Sequence, residues 1–512
     1  MQISLHERPA IVLHPDDDVA VALLPLSAGR SLTLERHRLR LIDAIAPGHK
    51  LALRDVAAGQ PVRRYGQVIG FAKTPIAAGQ HVHSHNLAVG EKALEYAIGA
   101  ETRRVPVLSP DARRSFMGYR RPHGRAGTRN TVAVIGTVNC AAHTVRKIAE
   151  RSRAELLPHF PNVTDVVALA HKSGCATRDG SPELGLLQRT LAGFARNPNV
   201  AACLFVGLGC EVNQFAALLE SQREILGSAA LYLSIQDSGG VAATVEAGLR
   251  AVAELLPLAD AARRRPVPLS ELCLALQCGG SDGFSGITAN PALGHAVDLL
   301  VAQGGTAVLS ETPEIYGAEH LLTRRAVSQA VGEKLVARIR WWEEYTAREG
   351  FEIDNNPAPG NKAGGLTTIF EKSLGAVAKA GNMPLSAVYE YAEPISEHGL
   401  TFMDTPGYDP VSATGQVAGG CTLIAFTTGR GSCFGFKPAP SIKIATTSDL
   451  FRRMPHDMDI DAGGILAGAS VESVGRAIFE LLIAVASGEP SLSEAQGIGE
   501  EEFNPWILGA TM

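Results

Sequence analysis

Buried-strand patterns that alternate with helical patterns constrain the fold of this chain more than any other feature. The run TVAVIGTV, which starts at Thr131, is continuously apolar and rich in β-branched residues, as expected of a strand covered on both faces. A segment with helical spacing follows it, and the same alternation recurs after VTDVVALAH, AACLFVGLGC and ELCLALQCGG. Strands that alternate with helices predict the parallel sheets of an α/β protein.

The N-terminal part of the chain has a different pattern. Residues 10–87 contain short β segments, of which DVAAGQPVRRYG and KTPIAAGQHVHSHN look like two copies of one β-turn-β unit. A stretch with prolines and charge pairs but little periodicity follows them. We therefore predict a small β-rich domain at residues 1–95, a linker at 96–115, and two parallel-sheet α/β lobes at 116–265 and 266–512. One long helical stretch is predicted near Glu319 to Glu349.

Composition and charge argue against several classes of protein. The formal net charge is -5 and the basic stretches are short, which is unlike a nucleic-acid-binding protein. The chain has neither an uninterrupted apolar run of membrane-spanning length nor a secretory signal pattern at its start, and no dinucleotide or Walker A glycine pattern. The eight scattered cysteines do not resemble a secreted disulfide framework, so we expect a cytoplasmic protein. The apolar helix VGRAIFELLIAVASG could form a dimer face.

Polar or nucleophilic groups follow most of the predicted buried strands. Ligands of open α/β folds bind beyond the carboxyl ends of strands, so several such loops together suggest one shared cleft. The cysteines among these groups could equally be small buried hydrophobic residues. The loops contain Asn139-Cys140, His171 with Cys175, Cys210-Glu211, Cys278 with Ser281 and Asp282, Glu311-Thr312, and Gly429-Arg430-Gly431.

The sequence HVHSH places His81, His83 and His85 at alternate positions. In a strand these side chains would point to one face, and three imidazoles on one face could bind Fe(II), Mn(II) or Zn(II). His49 lies in a Pro-Gly-His-Lys turn and could join them. The alternative interpretation is a merely polar strand end or turn.

Three further segments are suited to an anion. GYRRPHGRAGTRN, which contains Arg125 and Arg129, reads as an anion-binding loop, or alternatively as a charged linker. The TGRGS loop offers Arg430, whose guanidinium can grip a carboxylate with two hydrogen bonds. The Pro/Gly loop NPAPGNKAGG carries Asn361 and Lys362, and the lysine could bind a carboxylate or act as a base. A surface loop is the alternative for this last segment.

Taken together, these segments resemble the altronate/galactarate dehydratase family over nearly the whole chain. The most specific of them are CGGSDGFSG and PGNKAGG, and HVHSHN, VGLGCE and FTTGRGS add to the resemblance. The resemblance implies an SAF-type N-terminal domain and a catalytic region that removes water from C2–C3 of a hydroxy acid with Fe(II) or Mn(II). The expected product is a 2-keto-3-deoxy acid, and altronate is the expected substrate. Galactarate and sulfolactate enzymes share the scaffold and are the alternatives.

The resemblance also assigns roles to the singled-out residues. Lys362 or His171 would be the base that takes the C2 proton. The remaining predicted groups are metal ligands (His49, His83 and His85) and substrate-binding groups (Arg125, Arg129, Asn139, Cys140, Cys278, Ser281, Asp282, Asn361 and Arg430).

Two other functions compete with this one. A non-catalytic sugar-acid sensor would keep the β domain and the arginines but would need no metal. An iron–sulfur lyase would use Cys140, Cys210 and Cys278 to hold its cluster.

Overall fold

The N-terminal domain consists of short antiparallel strands. The computed structural model describes residues 8–91, 94–103, 108–122, 124–175, 177–222 and 230–508. The first domain has one four-stranded sheet in the order β1-β2-β5-β8, one three-stranded sheet in the order β6-β7-β9, and the hairpin β3-β4. Its strands are β1 (Ala10–Ile11), β2 (Val19–Ala22), β3 (Ser31–Leu34), β4 (His37–Arg40), β5 (Lys50–Ala52), β6 (Pro61–Arg64), β7 (Gln67–Ala72), β8 (His81–Val82) and β9 (Leu87–Ala88).

The predicted repeat within this domain is visible in its turns. Both Ala-Gly-Gln turns place their glycine, Gly59 and Gly79, in the left-handed region with φ near 80°. Val56 of the first copy and Ile76 of the second pair with each other in an isolated bridge. A left-handed turn favours glycine, which explains why the same tripeptide recurs at both places.

The first α/β lobe is built on a four-stranded parallel sheet in the order β12-β11-β13-β14. An antiparallel ribbon of β10 and β15 joins the beginning of the lobe to its end. The elements are β10 (Ser115–Gly118), β11 (Thr131–Gly136), α1 (Ala142–Glu155), β12 (Asp165–Leu169), α2 (Pro182–Arg196), β13 (Val200–Gly207), α3 (Phe215–Ser221), β14 (Ala230–Ser234), α4 (Val241–Asp260) and β15 (Arg265–Pro268).

The second lobe is built on a seven-stranded parallel sheet in the order β18-β19-β17-β16-β20-β21-β22. Its strands are β16 (Cys273–Cys278), β17 (Thr306–Leu309), β18 (Leu385–Tyr389), β19 (Gly399–Met403), β20 (Leu423–Thr428), β21 (Ser441–Ala445) and β22 (Ile460–Asp461). Its helices are α5 (Ala289–Ala302), α6 (His320–Thr323), α7 (Gln329–Arg348), α8 (Pro359–Ala363), α9 (Ile369–Val377), α10 (Asp409–Ala418), α11 (Ser448–Arg453), α12 (Val471–Ala486) and α13 (Leu492–Ala495).

The predicted fold class is confirmed: a β-rich N-terminal domain precedes two lobes with parallel sheets. The single long helix predicted near residues 319–349 is wrong, because α6 and α7 are separate. Ser328 explains the break, since its side-chain oxygen accepts a hydrogen bond from the backbone N–H of Val331 and so begins α7 as an N-cap. No helix in the described part of the chain is long and apolar enough to cross a membrane.

The two lobes pack directly on each other. Gly193 of α2 lies so close to α10 that a Cβ atom at this position would come within 2.3 Å of the carbonyl oxygen of Ala418. One continuous apolar core contains side chains from both sheets, including Ile135, Phe205 and Phe426. The lobes therefore share buried apolar surface, which is the main favourable term in their association.

A buried ionic network joins the N-terminal domain to the second lobe. The carboxylate of Glu371 on α9 accepts hydrogen bonds from Lys50 Nζ at 3.0 Å and from Arg64 Nη1 at 2.6 Å. All three side chains are fully buried. The backbone N–H and hydroxyl of Thr367 also donate to this carboxylate, while Lys50 and Arg64 donate in addition to the carbonyl oxygens of Gly365 and Gly283.

The electrostatics of this network keep Glu371 ionised. Burial alone would raise its pKa, but Lys50 and Arg64 outweigh burial and lower the pKa to about 2. Burial lowers the pKa of Lys50 to about 8 against the opposing effect of Glu371, so the ammonium remains mostly charged at neutral pH. The two buried cations, Lys50 and Arg64, thus share Glu371 as their counter-ion.

We predict that Glu371→Gln lowers the free energy of unfolding by about 3–5 kcal/mol, because it leaves buried cations without their counter-charge. Urea denaturation at neutral pH measures this change. Glu480→Gln is the matched control, since Glu480 pairs with Arg114 at 2.6 Å on the exposed surface, and the expected change there is below about 1 kcal/mol. Equal effects of the two substitutions would contradict the prediction.

The contribution of Glu371 to the free energy of unfolding should depend on pH. Glu371 has a folded-state pKa of about 2 against an ordinary value of 4.5, so its stabilisation is fully present above pH 4.5 and is lost as the pH falls towards 2. The difference in unfolding free energy between the wild type and Glu371→Gln should therefore shrink over that pH range.

Candidate active site

The loops after β16, β17 and β20 meet at the carboxyl edge of the seven-stranded sheet, together with residues 356–365. Asn361 Nδ2 donates to the carbonyl oxygen of Ser281 at 2.8 Å, and the backbone N–H of Gly283 donates to the carbonyl oxygen of Gly364 at 2.8 Å. The backbone N–H of Arg430 donates to the carbonyl oxygen of Gly280, also at 2.8 Å. These bonds join three motifs that are far apart in the sequence into one surface.

The N-terminal domain closes over this edge through a turn at Gly48. A Cβ atom at Gly283 would come within 2.0 Å of the carbonyl oxygen of Gly48, and one at Gly365 within 2.3 Å of the same oxygen. Both positions therefore require glycine for the backbone contact to form. The turn carries His49, which this contact brings to the edge of the second lobe.

Four histidines of the N-terminal domain form a cluster beside the loop that contains Lys362. His49 Nδ1 lies 3.1 Å from His81 Nε2, and His83 stacks on both rings with centroid separations of 5.2 and 5.3 Å. His85 lies next to His81 with a centroid separation of 5.6 Å. The cluster contacts the second lobe because His49 Nε2 lies 3.2 Å from the carbonyl oxygen of Ala363.

Three of the four histidines have lowered pKa values. Burial is the main reason that the pKa values of His49, His81 and His83 are lowered, and for His81 the neighbouring rings help to lower the pKa to about 4. His83 Nε2 donates to the carbonyl oxygen of Lys362 at 2.9 Å, so its Nδ1 is left to accept from the Ser84 hydroxyl. By the same argument His49 Nε2 donates to the loop and its Nδ1 accepts from His81, which leaves a lone pair on His81 Nδ1.

The strand predicted for HVHSH is wrong, since β8 contains only His81 and Val82. The chain turns at His83, whose carbonyl oxygen accepts hydrogen bonds from the N–H groups of Asn86 and Leu87. Asn86 shapes this turn, because its side chain bonds the backbone of both His81 and His83. The histidines therefore meet through a turn and not through the alternation of a strand.

A second polar cluster lies below the same edge, where β16 ends at Cys278. Lys379 Nζ donates to Cys278 Sγ at 2.7 Å, and the thiol lies 3.2 Å from Glu314 Oε2, to which it can donate. Lys372 forms an ion pair with Glu314 and donates to Asn356 Oδ1 at 2.9 Å. We call Cys278, Glu311, Glu314, Lys372 and Lys379 the buried polar cluster.

Glu311 is the unusual member of the buried polar cluster. It is 0% exposed, and neither of its carboxylate oxygens has a hydrogen-bond partner among the described residues. Its backbone has φ 69° and ψ 74°, in the left-handed region that non-glycine residues avoid. Burial, with the nearby Glu314, raises the pKa of Glu311 well above its usual value. A buried carboxyl group without a hydrogen-bond partner costs free energy of folding, and the described residues provide no such partner for Glu311.

Two lysines and two glutamates shift one another's pKa values in the buried polar cluster. Burial lowers the pKa of Lys379, but the neighbouring Cys278, Glu311 and Glu314 outweigh burial and raise the pKa. Burial also lowers the pKa of Lys372, but Glu314 outweighs burial and raises it, whereas burial raises the pKa of the Cys278 thiol to about 12. Burial would raise the pKa of Glu314, but Lys372 and Lys379 outweigh burial and lower it. A site of this kind stabilises an anion.

The buried polar cluster also has the donor set of a divalent metal site. The ligand atoms of Cys278, Glu311 and Glu314 lie within 4.8 Å of one another, and they are the one such set among the described residues. The unpaired carboxyl group of Glu311 fits the role of a metal ligand, because a bound cation would be the partner that this group lacks. Asp409, at the start of α10, is the partly exposed neighbour of this cluster, since a Cβ atom at Gly279 would come within 2.4 Å of its Oδ2. Burial and Glu314 raise the pKa of Asp409 to about 7.

Several predicted binding residues lie at this edge and shape its loops. Asp282 is buried, and its carboxylate accepts hydrogen bonds from Ser285 and Thr446, while burial raises its pKa. Asn361 accepts from the backbone N–H of Ala358 as well as donating to Ser281. The guanidinium of Arg430 is exposed at the same edge, beside Gly364.

The other two predicted arginines lie elsewhere. Arg129 is buried, and its guanidinium donates to Glu494 and to the carbonyl oxygens of Thr128, Val485 and Glu489. All of its N–H groups are used inside the protein, so the expected role in carboxylate binding finds no support. Arg125 is partly exposed and donates to the carbonyl oxygen of Glu397 at 3.0 Å, just before β19 begins, whereas the loops of the site follow the ends of their strands.

The remaining predicted residues belong to the first lobe. His171 Nε2 lies 2.9 Å from the carbonyl oxygen of Gly136, and His171 Nδ1 accepts from the backbone N–H of Ser173. Burial lowers the pKa of this ring to about 4, and both nitrogens are occupied, so it has no free lone pair for a substrate proton. The base role expected of His171 is thus without support. Asn139 and Cys140 line a separate cavity of about 730 Å³ in this lobe.

Family models match three consecutive parts of the chain. Residues 8–90 match the altronate/galactarate dehydratase SAF domain, residues 118–260 match the second domain of D-galactarate dehydratase/altronate hydrolase, and residues 269–511 match the C-terminal domain of D-galactarate/altronate dehydratase. The chain belongs to the altronate/galactarate dehydratase family. The three matched parts correspond to the β domain and the two lobes of the structure.

Relatives in this family are similar over almost their whole length. An altronate dehydratase of Bacillus subtilis is 36% identical over 94% of this chain and 95% of its own. An altronate dehydratase of Escherichia coli is 36% identical over 96% of this chain and 97% of its own. A galactarate dehydratase (L-threo-forming) of Escherichia coli is 37% identical over 97% of this chain and 96% of its own. Identity alone therefore does not separate the two substrates.

Sequence reasoning assigned no role to four members of the buried polar cluster. Glu311 was visible as a polar group after the run TAVLS, but nothing in the sequence showed that it would be buried. Glu314 lies three residues further along. Lys379 stands alone in the mainly apolar segment IFEKSLGAVAKAG, and Lys372 has only Glu371 as a charged neighbour there. Lysines in such an apolar segment are the signal that could have revealed them.

We predict that Gly283→Ala disrupts the contact between the N-terminal domain and the second lobe. The added methyl group would meet the backbone oxygen of Gly48, which cannot move aside as a side chain can, and the cost should be about 1–3 kcal/mol of stability with reduced turnover. Thermal unfolding and an activity assay measure both effects. Gly360→Ala is the control, since a Cβ atom there meets no heavy atom within 4 Å. Loss of stability or activity in the control alone would refute the steric explanation.

Proposed function

We propose that this chain is a hydro-lyase that removes water from C2–C3 of a sugar acid and releases a 2-keto-3-deoxy acid. The observation that carries this proposal is the buried polar cluster at the carboxyl edge of the larger sheet, where Lys379 contacts Cys278 and Lys372 pairs with Glu314. Loss of the C2 proton next to a carboxylate creates an enediolate, and cations positioned beside it lower the barrier to its formation. Membership in the dehydratase family supports the same chemistry.

Different groups at this edge have different proposed roles in the reaction. Arg430, which is exposed, binds the substrate carboxylate. Lys362 is the proposed base for the C2 proton, because its helix α8 lies between the histidine cluster and Ser281. Asp409, the most accessible acidic group beside the buried polar cluster, is the proposed donor of a proton to the leaving C3 hydroxyl. The enol that results then tautomerises to the keto acid.

The structure supports a monoacid substrate such as altronate over a diacid such as galactarate. A diacid needs a cationic partner at each end, and of the three arginines expected to bind carboxylate only Arg430 lies at this edge. Arg129 is engaged within the protein and Arg125 lies on another surface. Sulfolactate remains the third acid to test.

A divalent metal, Fe(II) or Mn(II), is part of the proposal. Cys278, Glu311 and Glu314 would hold it, because they are the compact donor set and Glu311 lacks any other partner. Once bound, the metal would add positive charge next to the enediolate. The ring nitrogens of His49 and His83 that face the loop already donate to backbone oxygens, which argues against the ligand role first expected of them. A reducing compartment, the cytoplasm, suits the eight unpaired cysteines.

We predict that the purified protein, supplied with Fe(II) or Mn(II), forms 2-keto acid from altronate and not from galactarate or sulfolactate. A coupled assay for 2-keto acids across this panel measures the outcome. Turnover of galactarate alone would overturn the monoacid argument, and no turnover of any hydroxy acid by metal-loaded protein would overturn the proposed function.

The role of Arg430 has a matched control. We predict that Arg430→Met lowers kcat/KM about tenfold to a hundredfold, because a charge-assisted hydrogen bond contributes about 1.5–3 kcal/mol. The loss should appear mainly in KM. Arg125→Met removes a partly exposed arginine at another surface and should leave both constants unchanged. The reverse pattern would assign the carboxylate site to Arg125.

The metal content of two variants tests where the metal binds. We predict that Glu311→Gln, which keeps the shape of the side chain, greatly lowers the iron or manganese bound per chain after dialysis, as measured by elemental analysis. His83→Ala should keep the metal. Loss of metal from His83→Ala and its retention in Glu311→Gln would place the metal in the histidine cluster.

A further inference from the structure

Three cysteines that the proposed reaction does not use lie at one edge of the first lobe. Cys140 follows β11, Cys175 follows β12 and Cys210 follows β13, and these three strands are neighbours in the parallel sheet. Gly136 pairs with Val206, and Cys140 and Cys210 each come four residues after their member of this pair. The carboxyl ends of adjacent parallel strands thus place the three thiols on the same side of the lobe.

Hydrogen bonds tie the three cysteine loops together. The backbone N–H of Asn139 donates to the carbonyl oxygen of Ser173 at 2.9 Å, which joins the Cys140 loop to the Cys175 loop. Asn213 donates to the carbonyl oxygen of Gly174 through its backbone and to that of Thr137 through Nδ2. This buried asparagine therefore joins the Cys210 loop to both of the others. The loops are positioned by the fold and need no further ligand to hold them.

Gly174 has a specific reason to precede Cys175. It has φ 104°, and a Cβ atom there would come within 2.4 Å of the carbonyl oxygen of Thr137. The close approach of these two backbones brings Cys175 towards the end of β11. The nearby acid Glu211 does not compete as a ligand, since its carboxylate accepts hydrogen bonds from Thr137 and from the N–H of Gly209.

The three thiols are accessible. Cys140, Cys175 and Cys210 are exposed and unpaired, whereas Cys203 in the same lobe is buried, and burial raises its pKa to about 12. Cys140 and Cys175 line the cavity of about 730 Å³, whose walls also carry Lys172 and Arg178.

The spacing of the sulfur atoms distinguishes between ligands. Three thiolates around one tetrahedral ion lie about 3.8 Å apart, given a metal–sulfur bond of about 2.3 Å. These three sulfur atoms are more widely spread, because within the described residues only the Cys278 set has all its ligand atoms inside 4.8 Å. An iron–sulfur cluster spans a larger volume than a single ion and is held by cysteine thiolates.

We propose that Cys140, Cys175 and Cys210 bind a four-iron, four-sulfide cluster at the carboxyl edge of the first lobe. Each thiol loses its proton to solvent as its sulfur bonds to one iron, and the fourth iron is left open towards the cavity. Cys278, which the sequence grouped with Cys140 and Cys210, belongs instead to the buried polar cluster of the other lobe. This site is independent of the proposed metal at Glu311.

The test begins with full-length protein purified without oxygen. It is reconstituted with ferric iron, sulfide and dithiothreitol, in which the dithiol reduces part of the ferric iron, and is then desalted. We expect about four irons and about four acid-labile sulfides per chain, with a broad visible absorption that dithionite bleaches. Iron without sulfide, or no iron at all, would overturn the proposal.

Single substitutions identify the ligands. Cys140→Ser, Cys175→Ser and Cys210→Ser should each lose most of the sulfide and the visible absorption, while circular dichroism shows that each variant remains folded. Cys433→Ser is the matched control, because Cys433 is also exposed and unpaired but lies in the second lobe, and it should keep the full cluster. A cluster that survives all three first-lobe substitutions, or that is lost equally in Cys433→Ser, would refute the assignment.

A further variant separates this site from the proposed catalytic metal. Glu311→Gln should retain the acid-labile sulfide, since sulfide reports the cluster and not a single divalent ion. Loss of sulfide in Glu311→Gln together with its retention in Cys140→Ser would place the cluster in the second lobe and overturn the proposal.

Discussion

One carboxylate, that of Glu371, organises the relation between the β domain and the catalytic lobe. It holds Lys50 and Arg64, which come from two different sheets of the β domain, and it sits on the helix that also carries Lys372 of the buried polar cluster. The position of the histidine cluster and the position of Lys372 therefore both depend on the same helix, α9. A charged contact of this kind, fully removed from water, favours one arrangement of the domains over others that would leave a charge unpaired.

Close backbone contacts, in addition to the ionic network, hold the N-terminal domain against the second lobe. Gly283 and Gly365 let the Gly48 turn approach so closely that the motifs CGGSDGFSG and PGNKAGG meet at a single carbonyl oxygen. The shape of these motifs therefore depends on this contact, and His49 lies at the site because Gly48 has no side chain to keep the N-terminal domain and the second lobe apart. The proposed reactive groups lie at the carboxyl edge of the seven-stranded sheet, and the β domain covers this edge.

The sequence was sufficient for the architecture and only partly so for the site. Continuous apolar runs and helical spacing are local signals, so the parallel sheets and the β domain could be predicted, whereas the separation of α6 from α7 depended on a single capping serine. The site depends on contacts between distant segments. No local pattern shows that Arg129 is satisfied by Glu494, or that Glu311 is buried without a partner, because both facts arise only when the lobes pack.

Glu311 combines a left-handed backbone with a carboxyl group that no described residue satisfies. Each feature costs the folded state of the order of 1–3 kcal/mol. A glycine at this position would relieve both, so the more heat-resistant protein is the one without the acid. If Glu311 holds the proposed metal, thermal tolerance and turnover are opposed at this residue, and engineering that selects only for melting temperature would tend to remove it.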